Sequence, residues 1–156
     1  MADQSYLYDT LSQTARSFVL STSPQTAGTN KPNPELVLSL TAPTFTHSWG
    51  HKHFASTNPG VQGIVDAHGF LDRMARLSSR MQTWRIDITD ISVDVQKRKG
   101  VVTADFRMTV AGNEAVLNEL VWMVGMDETG GKVVDSCEFI DPMANQAIME
   151  LMRRAA

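Results

Sequence analysis

A single cysteine in 156 residues, Cys137, excludes an internal disulfide. A lone thiol fits a reducing compartment. The N-terminus lacks the basic start and long apolar run of a secretory signal, and no hydrophobic run approaches a membrane span. A cytoplasmic protein without a membrane partner is therefore expected. Basic side chains do not outnumber acidic ones, 14 against 17, and the formal charge of −3 gives no general attraction to nucleic acid. There is no G-x-G-x-x-G, no phosphate-binding loop and no G-x-S-x-G, so nothing points to a nucleotide, a flavin or a covalent serine mechanism. No cofactor is expected. No internal repeat and no second domain are visible, and residues 1–156 read as one domain.

What is present is an ordinary globular composition, 42% hydrophobic and 20% charged, long enough for a sizeable core. Leu7, Leu11, Ala15, Phe18 and Val19 recur at helical spacing over roughly residues 4 to 22. Residues 23–34 are rich in Ser, Thr, Gly, Asn and Pro and read as a surface loop. Asn33-Pro34-Glu35 is a helix start, with a short helix to Leu40. Thr44, Phe45, Thr46 and Trp49 favour an extended segment, and residues 56–63 read as loop. Phe70, Met74, Leu77 and Met81 predict a second long helix. Trp84, Ile86 and Ile88, then Ile91, Val93 and Val95, form a strand whose apolar parity slips once, which predicts a bulge near Thr89-Asp90. Val102 to Val110 alternates cleanly. Asp141-Pro142 opens a last helix with Met143, Ala147, Ile148 and Leu151 on its apolar face. Helices followed by a long bent meander of antiparallel strands give an α+β architecture: a cone of sheet wrapped around helices.

The centre of the chain is the hairpin from Asn118 to Asp141. Its first strand is apolar on both parities, Val116, Leu120, Trp122 and Val124 against Leu117, Val121 and Met123, as in a central strand covered on both sides. Glu119 interrupts one face. Glu138 lies in line with Val134 and Ile140 on the second strand. Carboxylates among apolar residues are costly unless paired or protonated, so they point to a polar site in an apolar pocket.

The segments N-E-L-V-W (118–122), M-D-E-T-G-G-K-V (126–133) and C-E-F-I-D (137–141) resemble the last hairpin of the nuclear transport factor 2-like superfamily. More narrowly they resemble its SnoaL-like branch, found as small isomerases and cyclases in fungal natural-product pathways. F-T-H-S-W-G (45–50) is a weaker match. The resemblance covers most of the chain in element order. It implies the same cone, with a pocket between sheet and helices. It also implies that Glu138 faces that pocket and serves in proton transfer. Carboxyls in apolar surroundings titrate nearer neutrality, which suits a general acid or base.

The alternative for Glu138 is a solvated strand residue or an arginine pair. Glu119 matches the glutamate of the family's N-E-aromatic-V-W and is the second acid–base candidate; its alternative is a structural pair with Arg85 or Arg107. His47, which the resemblance places at the cone mouth, is the third; its alternative is a partly buried histidine bonded to backbone. Trp49, Trp122, Phe70, Met74 and Trp84 are the candidates for substrate contact, with ordinary core packing the alternative for Trp49 and Met74. His47, His51 and His53 invite a metal reading, but Gly50 breaks their spacing and loop histidines are the better account, so no metal is expected. Asp141 is accounted for as an N-cap, Cys137 as inert packing, and Arg73, Arg76 and Arg80 as a solvated helix face.

The expected function is a cofactor-independent isomerase or cyclase acting on an apolar polyketide, terpenoid or alkaloid intermediate, the substrate class being supplied by the resemblance. A dehydratase resembling scytalone dehydratase is a close variant. The reading from another class is a non-catalytic ligand-binding or dimerisation module, which calls for an occluded cone and an exposed apolar sheet face. An enzyme calls for an open pocket around Glu138. Since helices cover only one sheet face, a homodimer through the other is expected.

Overall fold

The computed structural model describes residues 4–24 and 31–156. The part of the expected loop at 25–30 lies outside them. Among the described residues, five helices, α1 (Gln4–Ser21), α2 (Pro34–Leu40), α3 (Lys52–Thr57), α4 (Ala67–Ser78) and α5 (Pro142–Ala155), accompany five strands, β1 (Thr41–Gly50), β2 (Thr83–Asp94), β3 (Lys99–Thr109), β4 (Val116–Met126) and β5 (Val133–Phe139). The strands form one open sheet in the order β1-β5-β4-β3-β2. Strands β2 to β5 are the expected antiparallel meander. β1 was read only as extended; it joins the edge of the sheet parallel to β5, with His47 opposite Ser136 and Trp49 opposite Glu138. The sheet is therefore mixed. Parallel pairing between segments this far apart leaves no local mark in a sequence.

Local chemistry explains the boundaries. The Asn33 side chain accepts from the backbone of Glu35 and Leu36, and Asp141 accepts from Met143 and Ala144, each ahead of a helical proline. In β2, Ile88 pairs with Ala104 and Asp90 with Thr103, so Thr89 is the extra residue of the expected bulge. At the β4–β5 turn, Gly130 takes a positive φ of 75°, and Asp127 Oδ1 accepts from the backbone of Gly131 and the Thr129 hydroxyl. Residues 56–63 are less irregular than expected: α3 reaches into them and Pro59–Val61 forms a 3-10 turn.

α1 lies in the hollow of the curved sheet. Leu11, Ala15, Phe18 and Val19 are fully buried against Phe45, Phe70, Val102, Ala104, Leu120 and Trp122. Burying each large apolar side chain contributes about 1.5–3 kcal/mol, so this shared core dominates the fold's stability. The face of α5 is rotated from expectation. Ala144, Ile148 and Met152, four apart, are buried, whereas Met143 and Ala147 are exposed. β4 is covered on one side only. Asn118, Leu120, Trp122 and Val124 point inward, while Leu117 and Met123 are 49% and 43% exposed on the outer face. No helix among the described residues is long and apolar enough to cross a membrane.

Candidate active site

On a strand, alternate residues share a face. Phe45, His47 and Trp49 of β1 and Ser136, Glu138 and Ile140 at the end of β5 therefore line one side of the sheet, with Trp122 of β4 opposite Glu138. The free edge of β1 is tied down: His47 and Val65 exchange backbone hydrogen bonds of 2.8 and 2.9 Å. These pairings place a histidine, a serine, a carboxylate and two indoles on one patch of the inner face.

The contacts are specific. His47 is wholly buried, and its Nδ1 lies 2.7 Å from the Ser136 hydroxyl. Among the described residues its Nε2 has no hydrogen-bond partner, and it stands 3.7 Å from Glu138 Oε2, too far for a direct hydrogen bond. The Trp49 indole N–H donates to the same Oε2 at 3.1 Å. The Glu138 side chain is 14% exposed and Trp49 is half-buried, so these two members of the set reach the surface while His47, Ser136 and Trp122 do not. The rings of Trp49 and Phe70 lie 4.4 Å from the imidazole and Trp122 lies 5.5 Å away. Arg73 of α4 stacks over Trp49 at 4.4 Å and donates to the carbonyls of Gly60 and Gln62. Trp49 is thus clasped between the histidine and a guanidinium.

Burial pushes the His47 pKa below its ordinary 6.5; the nearby Glu138 carboxylate pulls it partly back up, and Arg73 pushes it down. The neutral ring is favoured. An unfolded chain takes up this proton first as pH falls, so the fold has its full stability above about pH 6.5 and loses it below, until the depressed native value is reached. Urea titrations from pH 7.5 to 5 should show a loss of up to about 1.4 kcal/mol per pH unit in that window, which His47→Gln should remove. A wild-type protein equally stable across that range would contradict this assignment. Asp94 is held low mainly by the Lys97 backbone N–H, and Glu150 by Arg153 and Arg154, so their contributions are lost only in a more acid window.

The structure brings together Glu138, His47, Trp49, Phe70 and Trp122. It sets Glu119 apart. Odd-numbered residues of β4 point outward, and Glu119 is exposed on the far face opposite Asp105. Its expected basic partners are engaged elsewhere, Arg85 with Asp87 and Arg107 with Asp105. Met74 and Trp84 are buried core, with Trp84 on β2 at the opposite edge of the sheet from β1. His51 and His53 are exposed beside and within α3 while His47 is sealed, so the three do not converge; among the described residues no three potential ligands cluster for a metal. Two participants were missed. Ser136 shares the parity of Glu138, a signal available in the sequence. Arg73 was read as a solvated face, but its stacking and hydrogen bonds put it against Trp49. A surface groove of about 750 Å³ bordered by Phe54, Arg80, Pro142 and Met149 shares none of these residues.

No protein-family model matches the chain, and no curated protein matches it. Solved structures do. The BvnE pinacolase of Penicillium brevicompactum superposes with a TM-score of 0.75 over 96% of this chain and 98% of that one, at 16% identity. An NTF2-like protein of unknown function from Burkholderia pseudomallei K96243 gives 0.69 over 89% and 96%, at 13% identity. The chain has the nuclear transport factor 2-like fold. A SnoaL-like protein of Shewanella denitrificans OS-217 extends the likeness, with a TM-score of 0.66 over 90% and 96% at 5% identity. In this NTF2-like cone the His47–Glu138 cluster sits on the inner face where β1 meets β5.

Proposed function

We propose that this protein is a cofactor-independent isomerase or cyclase of an apolar secondary-metabolite intermediate, with Glu138 as the proton-transfer group. The observation that carries the reading is Glu138 itself. One oxygen is held by the Trp49 N–H and faces the His47 Nε2, which has no hydrogen-bond partner among the described residues; Trp122 lies opposite on β4, and the Glu138 side chain still reaches the surface. A carboxylate so placed takes a proton from one substrate atom and returns it to another. The substrate's atoms are conserved, and no oxidant or reductant is needed. His47, favoured in its neutral form, serves as a fixed hydrogen-bonding group beside the carboxylate, and the aromatic walls hold the ligand in one fold. The likeness to the BvnE pinacolase supports an enzymatic reading. The test is to incubate the protein with candidate intermediates and weigh the products. An isomer of unchanged mass is expected; a product lighter by one water would assign the dehydratase variant instead.

The non-catalytic reading has its own support. His47 is sealed in this conformation, and the outer sheet face exposes Val101, Leu117 and Met123. Failure to convert any intermediate that it binds would favour that reading. Both readings place a second copy of the chain on this outer face. Light scattering at micromolar concentration should give a dimer mass, and Leu117→Asp should shift it to monomer while leaving the fold intact. A monomeric wild type would contradict the dimer.

A further inference from the structure

We propose that Ser136 is a positioning residue: its hydroxyl donates to His47 Nδ1 and holds the neutral imidazole with its proton on Nε2, toward Glu138. The hydroxyl is 2.7 Å from Nδ1, and both residues are buried, Ser136 at 3% exposure and His47 at none. Water therefore cannot scramble the arrangement readily. Full burial favours the neutral ring, in which one nitrogen carries the proton and the other a lone pair. Suppose Nδ1 carried it. The Nε2 lone pair would then face the Glu138 carboxylate at 3.7 Å, acceptor against acceptor in a low-dielectric site, and the serine proton would need another acceptor. Among the described residues, the one side-chain hydrogen bond of Ser136 is to His47. With the serine donating, every proton has a sensible direction. Nδ1 accepts, and Nε2–H points toward the Glu138 carboxylate. The charged groups acting on the ring are Glu138 and Arg73. Glu138 favours the proton on Nε2.

The consequence for catalysis rests on the function proposed above. A neutral Nε2–H presents a donor rather than a second lone pair to the Glu138 carboxylate, and so keeps in place the group that moves the proton. The tautomer itself does not rest on that reading, so the two can fail separately. Protein labelled with ¹⁵N-histidine should give, for His47, the long-range proton–nitrogen pattern of a neutral ring protonated on Nε2, assigned by its loss in His47→Gln. Ser136→Ala should shift the pattern toward the Nδ1–H form or a mixture, and Ser136→Thr, which keeps a hydroxyl, should restore it. On a converted substrate, kcat should fall about ten-fold in Ser136→Ala with KM changed less, and recover in Ser136→Thr. A wild-type ring protonated on Nδ1 would overturn the proposal, as would an unchanged pattern in a folded Ser136→Ala. Should that variant not fold, the wild-type spectrum decides alone. An Nε2–H ring in a protein that converts nothing would leave the tautomer standing and remove the isomerase.

Discussion

Glu138→Gln should yield a folded protein that turns its substrate over about 10²- to 10⁴-fold more slowly, the usual cost of removing one general acid or base. That is about 3 to 5 kcal/mol of barrier. Glutamine keeps the shape of the side chain, and its amide oxygen can still accept from the Trp49 indole, so the geometry at 3.1 Å survives. What disappears is the ability to bind and release a proton. The hydrogen bond from Trp49 changes from charge-assisted to neutral, a loss of about 1 kcal/mol. The melting temperature should accordingly move by only about 2–4 °C. A slow but stable variant separates a chemical role from a structural one. Undiminished turnover would remove Glu138 from the mechanism, and a collapse of stability would make its role architectural. Replacing Glu119 by the same route should change turnover little, since its side chain is exposed on the other side of β4.

Trp122→Ala should be the most destabilising single truncation of the sheet. The ring is 1% exposed and packs against Phe18 at 5.9 Å, Phe70 and Phe106 at 6.4 Å, and His47 at 5.5 Å, joining α1, α4, β3 and β1 at one point. Large-to-small changes of buried aromatics cost about 3–5 kcal/mol. Among the described residues the Trp122 indole N–H has no partner, so its removal also relieves a desolvated donor that costs about 1–3 kcal/mol. The net loss should therefore sit at the lower end, about 3 kcal/mol, or about 6–12 °C in melting temperature. Urea and thermal melts measure it. A loss below about 1 kcal/mol would mean that the surrounding rings close the cavity and that Trp122 is not the hub of the core.

Features set by neighbours in sequence were readable before the structure. The α1 stripe from Leu11 to Val19, the caps at Asn33 and Asp141, and the phase slip at Thr89 each follow from local spacing or from one side chain meeting nearby backbone. Glu138 was singled out by the resemblance of C-E-F-I-D to the family's last hairpin, and its parity with Ile140 agrees with the inner-face position seen here. Glu119 misled because both parities of β4 are apolar, and only the sheet's curvature decides that Trp122's side is the concave one. The partnership of Ser136 with His47 depends on parallel pairing between residues 89 positions apart, which no local pattern encodes. The face of α5 was misjudged for a related reason. Met143 and Ile148 are both apolar, and docking against the sheet, not hydropathy, chose Ala144, Ile148 and Met152.

The measurement closest to the central claim is the mass of the product formed in deuterium oxide by wild type and by Glu138→Gln. A carboxylate that carries a proton between substrate atoms conserves the substrate's composition. It predicts a product isomeric with the substrate, labelled with at most one deuteron at carbon per turnover, and almost no product from Glu138→Gln at matched times. A product that has lost water, or an equal yield of the isomer from the Glu138→Gln protein, would contradict it.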